Sequence, residues 1–390
     1  MATIIENHLF QLWGGTESTF GAGPASNPAT ADAFDHIAFD PGQTPGASVV
    51  PNAEKNGYRS MGFPVQSFHD PRPFKIDLHA RGSGSATTAI DPAFLLKAGG
   101  FTETVGGSSV DYARTLSPAT SAWLWSVSSN GELGLSYAGA VVGEIGLQVE
   151  DLARLTFAGE AAKVSICDKT TIAAGISIGN ASFTLAANHG WVVPSGGAPV
   201  WVTIGSETVK VTAVSGDTAT ISGTFASTHT LGDAVSPFVP STRTVSAAAP
   251  VSAVNCVLDL NAGSEEIAVL KWNATIKTGV RLLDKEVHAA FRSGLIGERT
   301  PDDAARITAD LYYTAQTGTS KLAAMFAAQT SKSVRATIGE TSGNIIRLNM
   351  LTAKVVSPLS IPESDSGPRI GTVELAGYST TGVDVALVTL

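Results

Sequence analysis

"YARTLSPATSAWLWSVSSNGELGLSYAGAVVGEIGLQVEDLARLTFAGEAAKVSIC", residues 112–167, decides the fold class of this chain. Strand-like runs alternate with turns along its whole length, and Asn130-Gly131 is the sharpest turn signal. The stretch reads as paired strands, so the chain is expected to be mainly β.

Just upstream, "FKIDLHARGSGSATTAIDPAFLLKAGGF" (residues 74–101) imitates a nucleotide site: strand, glycine loop, helix. A dinucleotide fingerprint needs a third glycine where Thr87 stands, and the helix has room only for about Pro92 to Ala98. Asp91 suits an N-cap, Pro92 the first helical position and Gly99-Gly100 a stop. The segment therefore reads as architecture: a strand, a loop and a short capped helix.

The 390 residues are 43% apolar and only 15% charged, enough to bury a core. A formal charge of −9 argues against a surface that grips nucleic acid as a whole. Met1–Phe10 has no basic start or apolar run, so no secretory signal is expected. Residues 170–206 carry no charge but are broken by Gly, Pro, Asn and His, and do not reach the ~20 apolar residues of a span. Two cysteines, Cys167 and Cys256, are too few for a disulfide framework.

Four regions follow. Residues 1–57, dense in Gly and Pro, read as an N-terminal arm and loops with at most one strand. Residues 58–169 and 249–390 read as two parts of one β core, the second interrupted by a helix at "SKLAAMFAAQ". Residues 170–248 hold five charges in 79 positions and read as an inserted small all-β domain. Its expected core is Ile176, Ile178, Phe183, Leu185, Val200, Val202, Ile204, Val209, Val211 and Ile221. "AKVSIC" and "NCVLDL", on either side, suggest one hairpin whose loop was replaced by the insert.

Chemistry is sparse. "GISIG" (175–179) matches a nucleophile elbow centred on Ser177, but a strand pattern follows where a helix is required, and neither His189 nor His229 aligns with an acid. Asp77 and His79 share a strand face without a third metal ligand. The tryptophans lack interleaved basic residues and read as core or subunit contacts. We expect no enzyme, no cofactor and no metal.

The strand, "RGSGSA", "AFLLKAGGF" and "YARTLSPATS" together resemble the tail tube (major tail) proteins of tailed bacteriophages. Leu95, Leu96, Ala98, Gly100, Phe101, Tyr112, Pro118 and Ser121 occupy the corresponding positions. "YAGAVVGEIGLQVEDLARLTFAGEAA" resembles the family's strand pair ending in F-x-G, here Phe157 to Gly159, and "VELAGYSTTGVDVALVTL" its C-terminal strand pair. The likeness covers roughly 70–168 and 250–390. The insert is similar to small β modules of phage structural proteins.

The resemblance implies a β-sandwich or half-barrel with short flanking helices. It also implies a virion protein, assembled in the bacterial cytoplasm, whose hexameric rings stack into the DNA conduit of the tail. Partners would be further copies of itself and other tail proteins: tape measure, tail terminator, distal tail and, in a contractile tail, a sheath. DNA would pass without specific binding, and no membrane span is expected. Removing the three acids and two bases of 170–248 from totals of 34 and 25 leaves 31 against 23, a balance of −8. A mainly acidic bore is therefore expected, with Asp77, Glu144 and Glu150 as its candidate carboxylates. The insert is expected on the tube exterior, as an autonomous module dispensable for assembly. A monomeric carbohydrate-binding tail accessory or adhesin is the alternative function, and a serine hydrolase built on Ser177 a third.

Overall fold

The computed structural model describes residues 10–42, 49–50, 65–66, 72–115, 120–242, 244–252, 256–261, 265–267, 269–282, 295–297, 304–312, 317–357, 370–378 and 385–390. The chain is mainly β, and every strand pairing among these residues is antiparallel. Its spine is the pair Leu133–Val149 and Arg154–Asp168, in register from Leu133↔Asp168 to Gln148↔Arg154. As expected, Asn130-Gly131 makes the turn into this spine from the strand Ala122–Ser128. The Ser128 hydroxyl donates to Asn130 and accepts from the N–H groups of Glu132 and Leu133.

Leu133–Val149 is long enough to serve two neighbours on one side. Its first half pairs with Ala122–Ser128, which continues into Phe10–Thr16 and Ala33–Phe34. A bulge between Val142 and Glu144 then re-phases the strand, and its second half pairs with Val269–Lys277. That wing continues through Arg306–Tyr312 and Ile370–Gly377 to the end of Ile346–Val355. On the other side of the spine lie Arg72–His79 and Ala38–Asp40. Ile346–Val355 is a second branch point: it also pairs with Lys332–Ile338 and with Val385–Thr389, which leads to Val110–Arg114 and Phe101–Val105. The result is a half-barrel folded round one core.

Period-two patterning places that core. In Arg72–His79, Phe74, Ile76 and Leu78 point inward while Lys75 and Asp77 face out. The short helix α1, Ala93–Ala98, fills the interior, with Phe94, Leu95, Leu96 and Ala98 all buried. It ends where the Gly99 N–H bonds the carbonyls of Leu95 and Leu96, and Gly100 follows at φ +78°, a left-handed position suited to glycine. Asp91 is not its N-cap: Pro92 holds that place, and the Asp91 carboxylate accepts from the Ser246 N–H instead. The glycine loop before α1 serves packing, since the Gly82 N–H donates to Asn344 Oδ1 at 2.6 Å. The later helix α2, Thr317–Ala328, buries Leu322 and Met325 against the sheet.

Three expectations fail. Residues 10–42 are not an arm: Phe10–Thr16 is an inner strand whose Leu12 and Trp13 are fully buried, and Phe34 and Phe39 join the core. The rest of 1–57, apart from Val49–Val50, lies outside the described residues. The last two strands, Ile370–Gly377 and Val385–Thr389, do not pair with each other but with separate neighbours. Nor do the strands flanking the insert form one hairpin, because Arg154–Asp168 pairs in the spine and Cys256–Leu260 with Lys332–Ile338.

The insert is a six-stranded sheet, from Thr170–Thr171 to Ala234–Pro237, whose two edge strands meet through the Ile172↔Leu185 bridge. Of its expected core residues all are buried except Ile178, which is 64% exposed. Its core is not its own. Trp13, Trp123, Trp125, Val127 and Cys167 of the half-barrel pack in the same cluster as Val200, Val202 and Phe225. Trp125 Nε1 donates to Phe238 O, Trp191 Nε1 to Asp168 O and Ser136 Oγ to Pro199 O.

Candidate assembly surface

The half-barrel presents one continuous polar face. It runs across seven strands, Ala38–Asp40, Arg72–His79, Arg154–Asp168, Leu133–Val149, Val269–Lys277, Arg306–Tyr312 and Ile370–Gly377. Register fixes its rows: Lys75, Ala158, Glu144 and Lys277 in one, Asp77, Thr156, Gly146, Thr275 and Arg306 in the next. Arg154, Gln148, Asn273, Thr308 and Glu374 form a third. The three candidate carboxylates, Asp77, Glu144 and Glu150, lie on this side, with Glu144 and Glu150 exposed and Asp77 half-buried. The bulge determines this, because without the extra residue Glu144 would turn inward.

The face is charge-paired, not predominantly acidic. Its acids are Asp40, Asp77, Glu144, Glu150, Glu160, Asp310 and Glu374, and its bases Lys75, Arg154, Lys271, Lys277 and Arg306, seven against five, a balance of −2. Lys75 Nζ stands 3.6 Å from Asp77, Lys271 Nζ 3.6 Å from Asp310, and Arg306 bonds Glu374. Thr156 and Thr372 add hydroxyl bonds of 2.7 Å to Asp77 and Asp310. Such exposed pairs add little stability, about 0–1 kcal/mol each. Their effect is on the field: Lys75, Lys271 and Arg306 each have a carboxylate partner and Lys277 stands opposite Glu144, while Arg154 stands opposite Gln148 and His79.

The remaining motif residues are structural. Leu95, Leu96, Ala98, Phe101 and Phe157 all lie in the single main core. Gly159 permits a close approach: a Cβ there would meet Val141 O at 2.1 Å and the Phe74 ring at 2.7 Å. Pro118 lies outside the described residues. Sequence reading missed Glu17, a buried carboxylate that accepts from the N–H groups of Gly21, Gly23 and Gly139 and from the Ser121 hydroxyl. A lone Glu in a Gly-rich stretch carries no signal of such a role.

In the insert both histidines do meet acids, contrary to expectation. His229 Nε2 lies 3.0 Å from Glu207 Oε2, and His189 Nε2 3.6 Å from Asp217. Glu207 also accepts from the N–H groups of Ala226 and Ser227, tying the 225–229 turn to its strand. His229 is buried while Ser177 is exposed, and Ser177 is followed by a glycine turn and the strand Ser182–Thr184. Burial alone would raise the Glu207 carboxyl, but its N–H donors and His229 hold it below its ordinary 4.5. A depressed carboxylate stabilises the fold above its ordinary value and loses that contribution as pH falls through its folded value. Amide exchange at 225–229 is therefore expected to accelerate selectively below about pH 4.5. Protection unchanged down to unfolding of the whole chain would contradict this.

Among the described residues no group of three or more His, Cys, Asp or Glu could hold a metal, and no helix is long and apolar enough to cross a membrane. No known protein-family model matches the chain, and no curated protein matches it.

Proposed function

We propose that the chain is a structural subunit whose hexameric rings stack into the tail tube of a tailed bacteriophage, a conduit for DNA. The observation that carries this reading is the seven-strand polar face with its paired charges, borne on a half-barrel sheet. In a ring, six such faces would line the bore, and neighbouring copies would satisfy the edge strands. A wall with few unpaired cations would not hold the DNA backbone by counterion release, so the duplex could move. Further copies of the chain and other tail proteins are its partners in this reading. All six tryptophans are buried, so none of them offers an exposed stacking platform to a sugar ring.

The test is charge reversal. Changing Glu144→Lys and Glu150→Lys shifts the face from −2 to +2 by exchanging two acids for two bases. Assembled tubes of the double variant are expected to retain duplex DNA at low salt and release it as salt rises, whereas the parent does not retain it. Equal, weak retention by both would place the bore elsewhere.

A further inference from the structure

The turn that opens the spine holds a chemically labile pair. In an Asn-Gly sequence the glycine nitrogen can attack the asparagine Cγ, because glycine has no side chain to block the approach. The glycine N–Cγ bond forms, the Cγ–Nδ2 bond breaks, and ammonia leaves with the glycine amide proton. Solvent water then opens the cyclic imide at either carbonyl, to aspartate or to isoaspartate. Asn130-Gly131 meets the first conditions for this chemistry: Asn130 is exposed, and Gly131, at φ +69°, puts no Cβ in the way.

The folded turn opposes every step. The Gly131 N–H donates to Ser128 O at 2.8 Å, so the nucleophile keeps its proton and points it at a carbonyl, which accepts a hydrogen bond but is no base. Asn130 Oδ1 accepts from the Ser128 hydroxyl at 2.7 Å and from the Glu132 N–H at 3.3 Å. Asn130 Nδ2 donates to Glu132 Oε2 at 2.9 Å. Both ends of the carboxamide are therefore held. The bond at Nδ2 also runs the wrong way, because departing ammonia must gain a proton and the carboxylate accepts one. Ser128 is itself fixed, at 2% exposure, with its Oγ accepting from the N–H groups of Glu132 and Leu133.

We propose that Asn130 is a deamidation site which the folded turn keeps closed and which opens when the turn opens. The nitrogen and the carboxamide must both leave their partners before they can meet. Losing two hydrogen bonds of ordinary net strength slows the reaction at least about tenfold. The rate therefore follows local opening of residues 128–133. The product works against the turn that formed it. Aspartate would set a carboxylate where Nδ2 now meets Glu132 Oε2, and like charges there repel. Isoaspartate would add a backbone carbon between Ala122–Ser128 and Leu133–Val149, next to the pair Val127↔Gly134. This site is independent of the ring reading.

Timed incubation of the full-length protein in mildly alkaline, heavy-oxygen water tests it, read by peptide mapping with mass spectrometry. Mapping separates Asn130-Gly131 from Asn56-Gly57, the other Asn-Gly pair of the sequence. Conversion at Asn130 is expected to run at least about tenfold slower in the native chain than in the same chain unfolded in guanidinium. Ser128→Ala removes one donor to Oδ1 and Glu132→Ala removes the acceptor at Nδ2. Each is expected to raise the native rate several-fold and to leave the unfolded rate unchanged, with thermal melts as the folding control. Glu132→Ala leaves Ser128 in place, so it decides the matter if Ser128→Ala fails to fold. Equal rates in native and unfolded parent would overturn the closed turn, as would a folded Glu132→Ala chain that converts no faster than the parent. An unfolded chain that does not convert at Asn130 would overturn the site itself.

Discussion

Replacing residues 170–248 with a short Gly/Ser linker is expected to unfold the half-barrel, not to leave a trimmed but intact subunit. The charge drop at both borders suggests a separable unit, and loop-closure entropy alone would tolerate its removal at ~0.6 kcal/mol per doubling of length. Packing reverses that expectation. Trp13, Trp123 and Trp125 are at most 6% exposed, and they share a cluster with the insert's strands. Each tryptophan buries roughly 150–250 Å². Stripping three of them would therefore forfeit on the order of 10 kcal/mol at ~25 cal/mol/Å², an upper figure. Domains are stable by only about 5–15 kcal/mol in total. The deletion is expected to give insoluble protein, or a chain without a cooperative melt. A soluble product melting within a few degrees of the parent would show that the shared cluster contributes little.

Glu17→Ala is expected to cost about 3–5 kcal/mol, among the largest single-residue effects in the chain, because removing a buried charge strands its hydrogen-bonding partners. The carboxylate is 5% exposed and ties three segments together: the 21–23 loop, Ser121, and the long strand at Gly139. Without it, the N–H groups of Gly21, Gly23 and Gly139 and the Ser121 hydroxyl lose their acceptor. Glu17→Gln keeps the shape but points amide hydrogens at amide hydrogens, so it rescues only in part. Urea unfolding midpoints measure the loss, and a change below about 1 kcal/mol would mean that water replaces the carboxylate.

The strands of the half-barrel were legible where one face is buried and the other wet, as in Phe74, Ile76 and Leu78 against Lys75 and Asp77. Helix α1 was legible from Leu95-Leu96 and its glycine stop, although its cap was not, because Asp91 found a better partner in a segment 155 residues away. What stayed hidden is long-range. Phe10–Thr16 carries two glycines and a polar flank, and only its pairing with Ala122–Ser128 makes it a buried strand. The common core of the insert depends on tryptophans more than a hundred residues apart in sequence, such as Trp13 and Trp125. The polar face was partly legible: its carboxylates could be named, but the bases opposite them follow from register, which a single bulge at Val142/Glu144 resets.

The most direct measurement is the mass and shape of the purified full-length protein at high concentration, by native mass spectrometry and electron microscopy together. The account expects closed rings or stacked tubes built from particles of about 240 kDa, six times the 40.0 kDa chain. A homogeneous 40.0 kDa monomer, with no rings at any concentration or salt, would contradict it.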